Sequence, residues 1–322
     1  MRGNARYSST GEVVYPAASL GLVLDKTPVA ERMVRSQKVM GAHAGQITAL
    51  TTNGDMCATA ANASVLVWSS ADVSGVQGFS LLHAGCSALA FSQDGKYLAA
   101  ASTDDQHTLH IFGLGANQGL VATASTGKDK VLDITFSKDS STIVYGASSS
   151  FGVCTLDGSL LKVKRGLFAG QKRQAVFCCE FISSEEGEEK CVVGTQSGSI
   201  YTLDGRKLAE ENHSHAGGPC YTMWACTALE GEADLDSVVL VTGGYDGKVK
   251  LFSYDMELKL EFDARKEEYG SVDGSVSSAC LNYDRRKVLV GTAGSEIFEF
   301  ATNDESDLNK GALVSGHCAG SL

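Results

Sequence analysis

The chain has 322 residues, 43% of them hydrophobic and 20% charged, so it carries enough apolar content for a sizeable core, which excludes disorder as its general state. Its formal net charge of -11 argues against nonspecific affinity for nucleic acid or acidic lipid, although a local basic patch can override that balance. No long apolar run occurs, and Met1-Arg2-Gly3-Asn4 lacks the stretch a secretory signal needs, so the expected compartment is the cytoplasm and no membrane partner is expected.

Only three prolines but 36 glycines accompany many short Val/Ile/Thr/Tyr/Phe runs broken by Asp-Gly and Ser-Gly, a pattern of strand, turn, strand with no apolar 3.6-residue period. Residues 1–10 are expected to be a disordered N-terminal segment. Glu12 to Tyr15, Ala18 to Leu24 and Met33 to Met40 then predict three strands of a partial blade, residues 11–40. From residue 44 a short apolar strand with an aromatic or large apolar end recurs. Its copies are Val65-Leu66-Val67-Trp68, Leu109-His110-Ile111-Phe112, the weaker Gly152-Val153-Cys154-Thr155-Leu156, Ile200-Tyr201-Thr202-Leu203, Val249-Lys250-Leu251-Phe252 and Glu296-Ile297-Phe298-Glu299-Phe300. The interval of roughly 42 to 49 residues is that of a four-stranded propeller blade.

Each period repeats one order of parts. Ser87-Ala88-Leu89-Ala90-Phe91 leads into a Ser-x-Asp-Gly turn at Ser92 to Gly95, then Tyr97-Leu98-Ala99-Ala100-Ala101, then the aromatic-ended strand, and the segment from Leu132 to Asp139 repeats that opening. A sheet this small cannot bury both faces alone, so neighbouring sheets must stack. The expected fold is therefore an all-β, WD-repeat β-propeller of seven blades: six over 44–315 and the partial closing blade. Its missing strand is expected from residues after His317, where 316–322 read as the start of a further repeat in a longer protein.

The polar lock of WD repeats is clearest where Ser214-His215-Ala216-Gly217-Gly218 precedes the run from Val241 to Phe252. There the loop residue His215 and the turn residue Asp246 fit a buried hydrogen-bond network, with Phe252 in place of the usual Trp. In an earlier blade His43 is paired with Asn62 at the Asp position, and Trp68 is present. These six residues are read as structural and not catalytic.

No phosphate-binding loop, His-Glu-x-x-His, Cys-x-x-Cys or Gly-x-Ser-x-Gly element occurs, so no enzyme activity, cofactor or small-molecule substrate is expected. The glycine spacing in the segment from Gly113 to Gly119 is wrong for a nucleotide loop. His213 and His215 near Cys220 lack a second pair of metal-ligand spacing, so no metal is expected. The ten scattered cysteines read as small buried hydrophobes, and Phe91, Phe136, Phe177 and Phe181 as core. One surface feature stands out: Lys162, Lys164, Arg165, Lys172 and Arg173 follow one another with no acid between Asp157 and Glu180. This basic island is a candidate partner contact that steers an acidic partner, or else a solvated outer strand and loop. The run from Glu185 to Glu189 reads as a charged hairpin tip.

Three stretches carry a more specific likeness: Glu12 to Ser19, Gly41-Ala42-His43, and Leu156-Asp157-Gly158-Ser159-Leu160 running into Gly166-Leu167-Phe168 and Val176-Phe177-Cys178-Cys179. Through them the chain resembles the echinoderm microtubule-associated protein-like family, specifically the first of its two tandem propellers. The resemblance implies a cytoskeletal module whose partners are tubulin or microtubule-associated proteins. The family's hydrophobic motif, coiled coil, basic region and second propeller have no counterpart in this sequence, and lattice attachment in the family lies largely outside the propellers. A general scaffold or adaptor for partners unrelated to microtubules is the alternative that the fold equally permits.

Overall fold

Strand-forming residues and tight turns dominate throughout, and the computed structural model contains seven four-stranded antiparallel sheets, the blades of a β-propeller. It describes residues 3–26, 28–29, 32–33, 36–81, 84–213, 215–227, 235–265, 273–302 and 312–315. The chain divides into two compact units. One comprises Gly3–Ile143 and Cys154–Val163, the other Val144–Val153 and Lys164–Leu322.

The first unit holds three complete sheets. The first runs Arg6–Tyr7, Val13–Ala17, Leu20–Asp25 and Ser36–Met40, with the small hairpin Pro28–Val29 and Arg32–Met33 between its last two strands. Its strands differ from expectation in two respects, the first being that the strand expected over Met33 to Met40 spans Ser36–Met40, while Met33 pairs with Pro28 in the small hairpin. Second, the fourth strand comes from the segment expected to be disordered, because Arg6 and Tyr7 pair with Val14 and Val13 and Ala5 beside them is 1% exposed. Residues 316–322, to which that strand was assigned, lie outside the described residues. The second sheet is Ile47–Asn53, Met56–Ala61, Ser64–Ser69 and Gln77–Ser80; the third is Cys86–Phe91, Tyr97–Ser102, Thr108–Gly113 and Gly119–Ser125.

Turn chemistry stitches these sheets together. In the Ser-x-Asp-Gly turn, Ser92 Oγ donates to Asp94 Oδ1 at 2.7 Å, the Lys96 N–H donates to the same oxygen at 3.1 Å, and Gly95 takes the left-handed φ of +68°. Asn53 Nδ2 of the preceding sheet donates to the Ser92 carbonyl at 2.9 Å. Apolar packing does the same on a larger scale, since Val65, Phe79, Leu81, Phe91, Leu98 and Phe112 form one buried cluster drawn from the second and third sheets.

The fourth sheet, Val131–Phe136, Thr142–Ala147, Phe151–Asp157 and Leu160–Arg165, has its strands divided between the two units. In the second unit, the fifth sheet is Val176–Ser183, Glu189–Thr195, Ser199–Asp204 and Lys207–His213, and the sixth is Cys220–Ala225, Val238–Gly244, Lys248–Ser253 and Leu258–Asp263. The seventh is Val276–Leu281, Lys287–Thr292, Glu296–Ala301 and Val314–Ser315. Val241, Leu251, Leu281, Val288, Phe298 and Phe300 join the sixth to the seventh in a shared core.

Phe91, Phe136 and Phe181 are buried as expected. Phe177 is not: it sits at a register shift between Val176 and Cys178, is only half-buried, and packs edge-on against Tyr221 at 5.5 Å between ring centroids. A bulge re-aims the side chain at its extra residue, which strand alternation alone does not foresee. Of the nine described cysteines, eight are buried and Cys226 is half-buried. Burial pushes the Cys57, Cys86 and Cys154 thiols up to about 12, which suits inert packing groups.

Candidate functional site

The lock in the sixth blade is assembled by a loop, a strand and a turn. His215 follows the fourth strand of the fifth blade and is 3% exposed. Its Nδ1 lies 2.9 Å from Asp246 Oδ1 and its Nε2 lies 2.9 Å from Thr242 Oγ1. Thr242 lies in the second strand, Val238–Gly244, and Asp246 occupies the three-residue turn 245–247, where its carboxylate also accepts the Lys248 N–H at 3.1 Å. Two glycines make room. A Cβ on Gly244 would meet His215 Nδ1 at 2.4 Å, and one on Gly198, whose φ is +89°, would meet the His215 carbonyl oxygen at 1.9 Å.

Burial alone would lower the His215 pKa, but the hydrogen bond to Asp246 and the neighbouring Cys220 outweigh it and raise the value to about 9. Burial likewise opposes ionisation of Asp246, and the His215 hydrogen bond overcomes it and lowers that pKa. At neutral pH the lock is therefore an imidazolium donating from both ring nitrogens. Phe252, 3% exposed, fills the Trp position and has no N–H to offer Thr242.

The second blade holds the complementary half. Trp68 Nε1 donates to Thr59 Oγ1 at 3.1 Å, and His43 Nε2 lies 2.9 Å from the same hydroxyl. The expected pairing of His43 with Asn62 does not form, because His43 Nδ1 has no hydrogen-bond partner among the described residues. The cause is turn length. Ala61 pairs with Ser64, so Asn62 sits in a two-residue hairpin at φ +50°, and its amide stands against Gly45. Without a carboxylate beside it, His43 has its pKa lowered by burial. The two blades thus move the pKa of the corresponding histidine in opposite directions. Trp68→Phe is expected to destabilise the protein by about 2 kcal/mol, from one lost hydrogen bond and a partly filled cavity, measured as a shift in the urea midpoint. A change below a few tenths of a kcal/mol would mean that the Trp68–Thr59 bond holds nothing.

Thr59 and Thr242 were not identified from the sequence. Threonine is ordinary in a strand, and the available signal was their recurrence nine residues before Trp68 and ten before Phe252. His215 also approaches Cys220, whose Sγ is 3.7 Å from that of Cys178. Both thiols are buried, yet the Cys178 hydrogen bond and the neighbouring His215 outweigh burial and lower the Cys220 pKa to about 6. Among the described residues no group of His, Cys, Asp or Glu is placed to hold a metal ion; the His213 side chain and Ser214 lie outside them.

All five residues of the basic island are exposed. Lys162, in the first unit, and Lys164, in the second, alternate along the strand Leu160–Arg165. Lys172 and Arg173 lie in the loop before the fifth blade, where Arg173 Nη2 donates to the Ser149 carbonyl at 3.2 Å. The sequence missed two further cations of the second unit. The strap Gly166-Leu167-Phe168 runs parallel to the start of Lys207–His213, with the Leu167 N–H donating to the Arg206 carbonyl at 2.8 Å and the Leu208 N–H to the Leu167 carbonyl at 3.0 Å. Arg206 in turn donates from Nη1 to the Arg165 carbonyl at 3.2 Å. Arg206 and Lys207 thus join Lys164 and Arg165 beside the 38%-exposed Leu167, from a position some forty residues away in the chain.

Comparison with known proteins places a WD domain, G-beta repeat, at residues 77–112, within the second and third blades. The chain is 25% identical over 327 residues to the ciliary WD repeat-containing protein ctxp80 of Euplotoides octocarinatus, covering 94% of this chain and 45% of that protein. It is also 25% identical over 317 residues to human echinoderm microtubule-associated protein-like 1, covering 92% of this chain and 37% of that protein. The chain therefore spans less than half the length of these relatives. The matched repeat agrees with the seven-bladed propeller seen in the structure, a fold that serves as a protein-interaction module.

Proposed function

We propose that this propeller is the protein-binding part of a cytoskeletal protein and that its partner is tubulin or a microtubule-associated protein in the cytoplasm. In this reading it binds and carries out no reaction. The observation that carries the reading is similarity along nearly the whole chain, 94% and 92% of it, to a ciliary WD repeat-containing protein and to an echinoderm microtubule-associated protein-like protein. The exposed cations around the Gly166-Leu167-Phe168 strap add a surface suited to an acidic partner in a chain whose net charge is -11. The test is sedimentation of the folded chain with polymerised microtubules and, in parallel, with filamentous actin as an acidic control polymer. Saturable binding to microtubules, or to the soluble dimer, but not to actin supports the reading. Equal binding to both polymers, or to neither polymer nor dimer, leaves a general scaffold whose partner lies elsewhere.

A further inference from the structure

Two thiols meet inside the second unit, where the first strands of the fifth and sixth blades come together. Cys178 follows the register shift in Val176–Ser183, and Cys220 precedes the one in Cys220–Ala225. They are 1% and 0% exposed, their sulfurs lie 3.7 Å apart, and the Cys178 thiol also donates to the Cys220 carbonyl at 3.4 Å. Gly194, in the second strand of the fifth blade, makes the room. A Cβ there would stand 2.5 Å from the Cys178 sulfur and 2.9 Å from that of Cys220.

Neighbouring cysteines are arranged otherwise. Cys179 sends its thiol the other way, to the Val144 carbonyl at 3.6 Å, as strand alternation requires. Cys86 opens the first strand of the third blade as Cys220 opens that of the sixth, and each thiol faces the carbonyl two residues on, Ala88 at 3.3 Å and Thr222 at 3.9 Å. At Cys86 burial prevails and pushes the thiol up to about 12, whereas at Cys220 the Cys178 hydrogen bond and the His215 imidazolium favour the thiolate.

We infer that Cys178 and Cys220 form a redox-modification site, at which a peroxide converts the two thiols into a disulfide joining the fifth and sixth blades. Cys220 follows directly on the loop 216–219, in which Ala216 and Gly217 are exposed, so a small opening of that loop admits a molecule little larger than water. The Cys220 thiolate attacks one peroxide oxygen, the O–O bond breaks, and the hydroxide that leaves takes a proton from His215 to become water. Cys220 is then a sulfenic acid. The Cys178 sulfur attacks the Cys220 sulfur, the S–S bond forms as the S–O bond breaks, and the departing hydroxide takes the Cys178 proton. His215 regains its proton from solvent. The sulfurs together lose two electrons, which reduce one peroxide to two waters, and side-chain rotation brings them from 3.7 Å to the roughly 2.05 Å of a disulfide.

The test treats the folded chain with equimolar hydrogen peroxide and maps the products by tandem mass spectrometry that separates Cys178 from Cys179 and Cys220 from Cys226. The chain is expected to lose the mass of two hydrogens and to carry a bridge from Cys178 to Cys220, formed at least roughly tenfold faster than any oxidation of Cys86. Dithiothreitol is expected to restore both thiols. Cys178→Ser is expected to abolish the bridge and leave oxygen on Cys220, and Cys179→Ser to leave the bridge intact, with unchanged melting curves showing that each variant is folded. Mapping of the wild-type chain decides the matter even where a variant fails to fold. Thiols at 178 and 220 that stay reduced in the folded chain, a bridge made by Cys179 or Cys226 instead, or a bridge that forms only in urea overturns the inference.

Discussion

Asp246→Asn is expected to cost roughly 3 kcal/mol of stability near pH 6 and far less above pH 9, because it converts a buried charge pair into a buried charge without its partner. The pH dependence follows from the two pKa shifts. His215 binds its proton more tightly when folded, at about 9, than when unfolded, at about 6.5. Its contribution is therefore complete below about pH 6.5, declines as the pH rises, and is gone above about 9. Asp246 is shifted the other way, so its contribution is present above its unfolded value of about 3.9 and is lost as the pH falls below that. The lock is strongest between these limits. Urea denaturation of the wild type should show the midpoint falling between pH 6.5 and 9, and the variant should show little fall. A loss of equal size at both ends of that window would mean that His215 is neutral in the folded protein.

Arg285→Ala is expected to be as damaging for a different reason. Arg285 is 5% exposed, sits at φ +57° in the turn before the strand Lys287–Thr292, and reaches back into the sixth blade. Its Nη1 donates to the Leu235 carbonyl at 3.0 Å and to that of Val238, and its Nη2 donates to the carbonyl of Thr227. A single guanidinium thus satisfies three backbone acceptors, at Thr227, at Leu235 and at the start of the strand Val238–Gly244. Truncation removes all three bonds and opens a cavity at the junction of two blades, a loss of about 3 kcal/mol. Arg285→Lys retains the charge but cannot serve three carbonyls from one ammonium, and is expected to recover less than half of that loss. Hydrogen exchange would locate the effect, with protection lost first in Val238–Gly244. Exchange that rises only around residue 285 itself would contradict the bridging role.

The blades were legible in the sequence because their signal is repeated: the strand ending at Trp68 returns at Phe112, Phe252 and Phe300 in equivalent places. His215 and Asp246 were legible for a related reason, since a histidine before the first strand and an aspartate in the turn fit one hydrogen-bond pattern. Asn62 occupied the corresponding place in the sequence, but a two-residue hairpin and a three-residue turn present their polar residues differently, and composition does not report turn length. Arg6–Tyr7 escaped notice because two residues have no periodicity. Phe177 was misplaced by a bulge. Arg206 and Lys207 looked like ordinary hairpin residues until the strap brought Leu167 beside them, a contact that only the tertiary structure supplies.

The most direct test of the account is the affinity of the folded chain for soluble tubulin dimer at low and at physiological ionic strength. The account predicts saturable binding that weakens with salt, as expected where exposed cations meet an acidic partner. Absence of binding at low salt, by protein whose melting curve shows it to be folded, would contradict it.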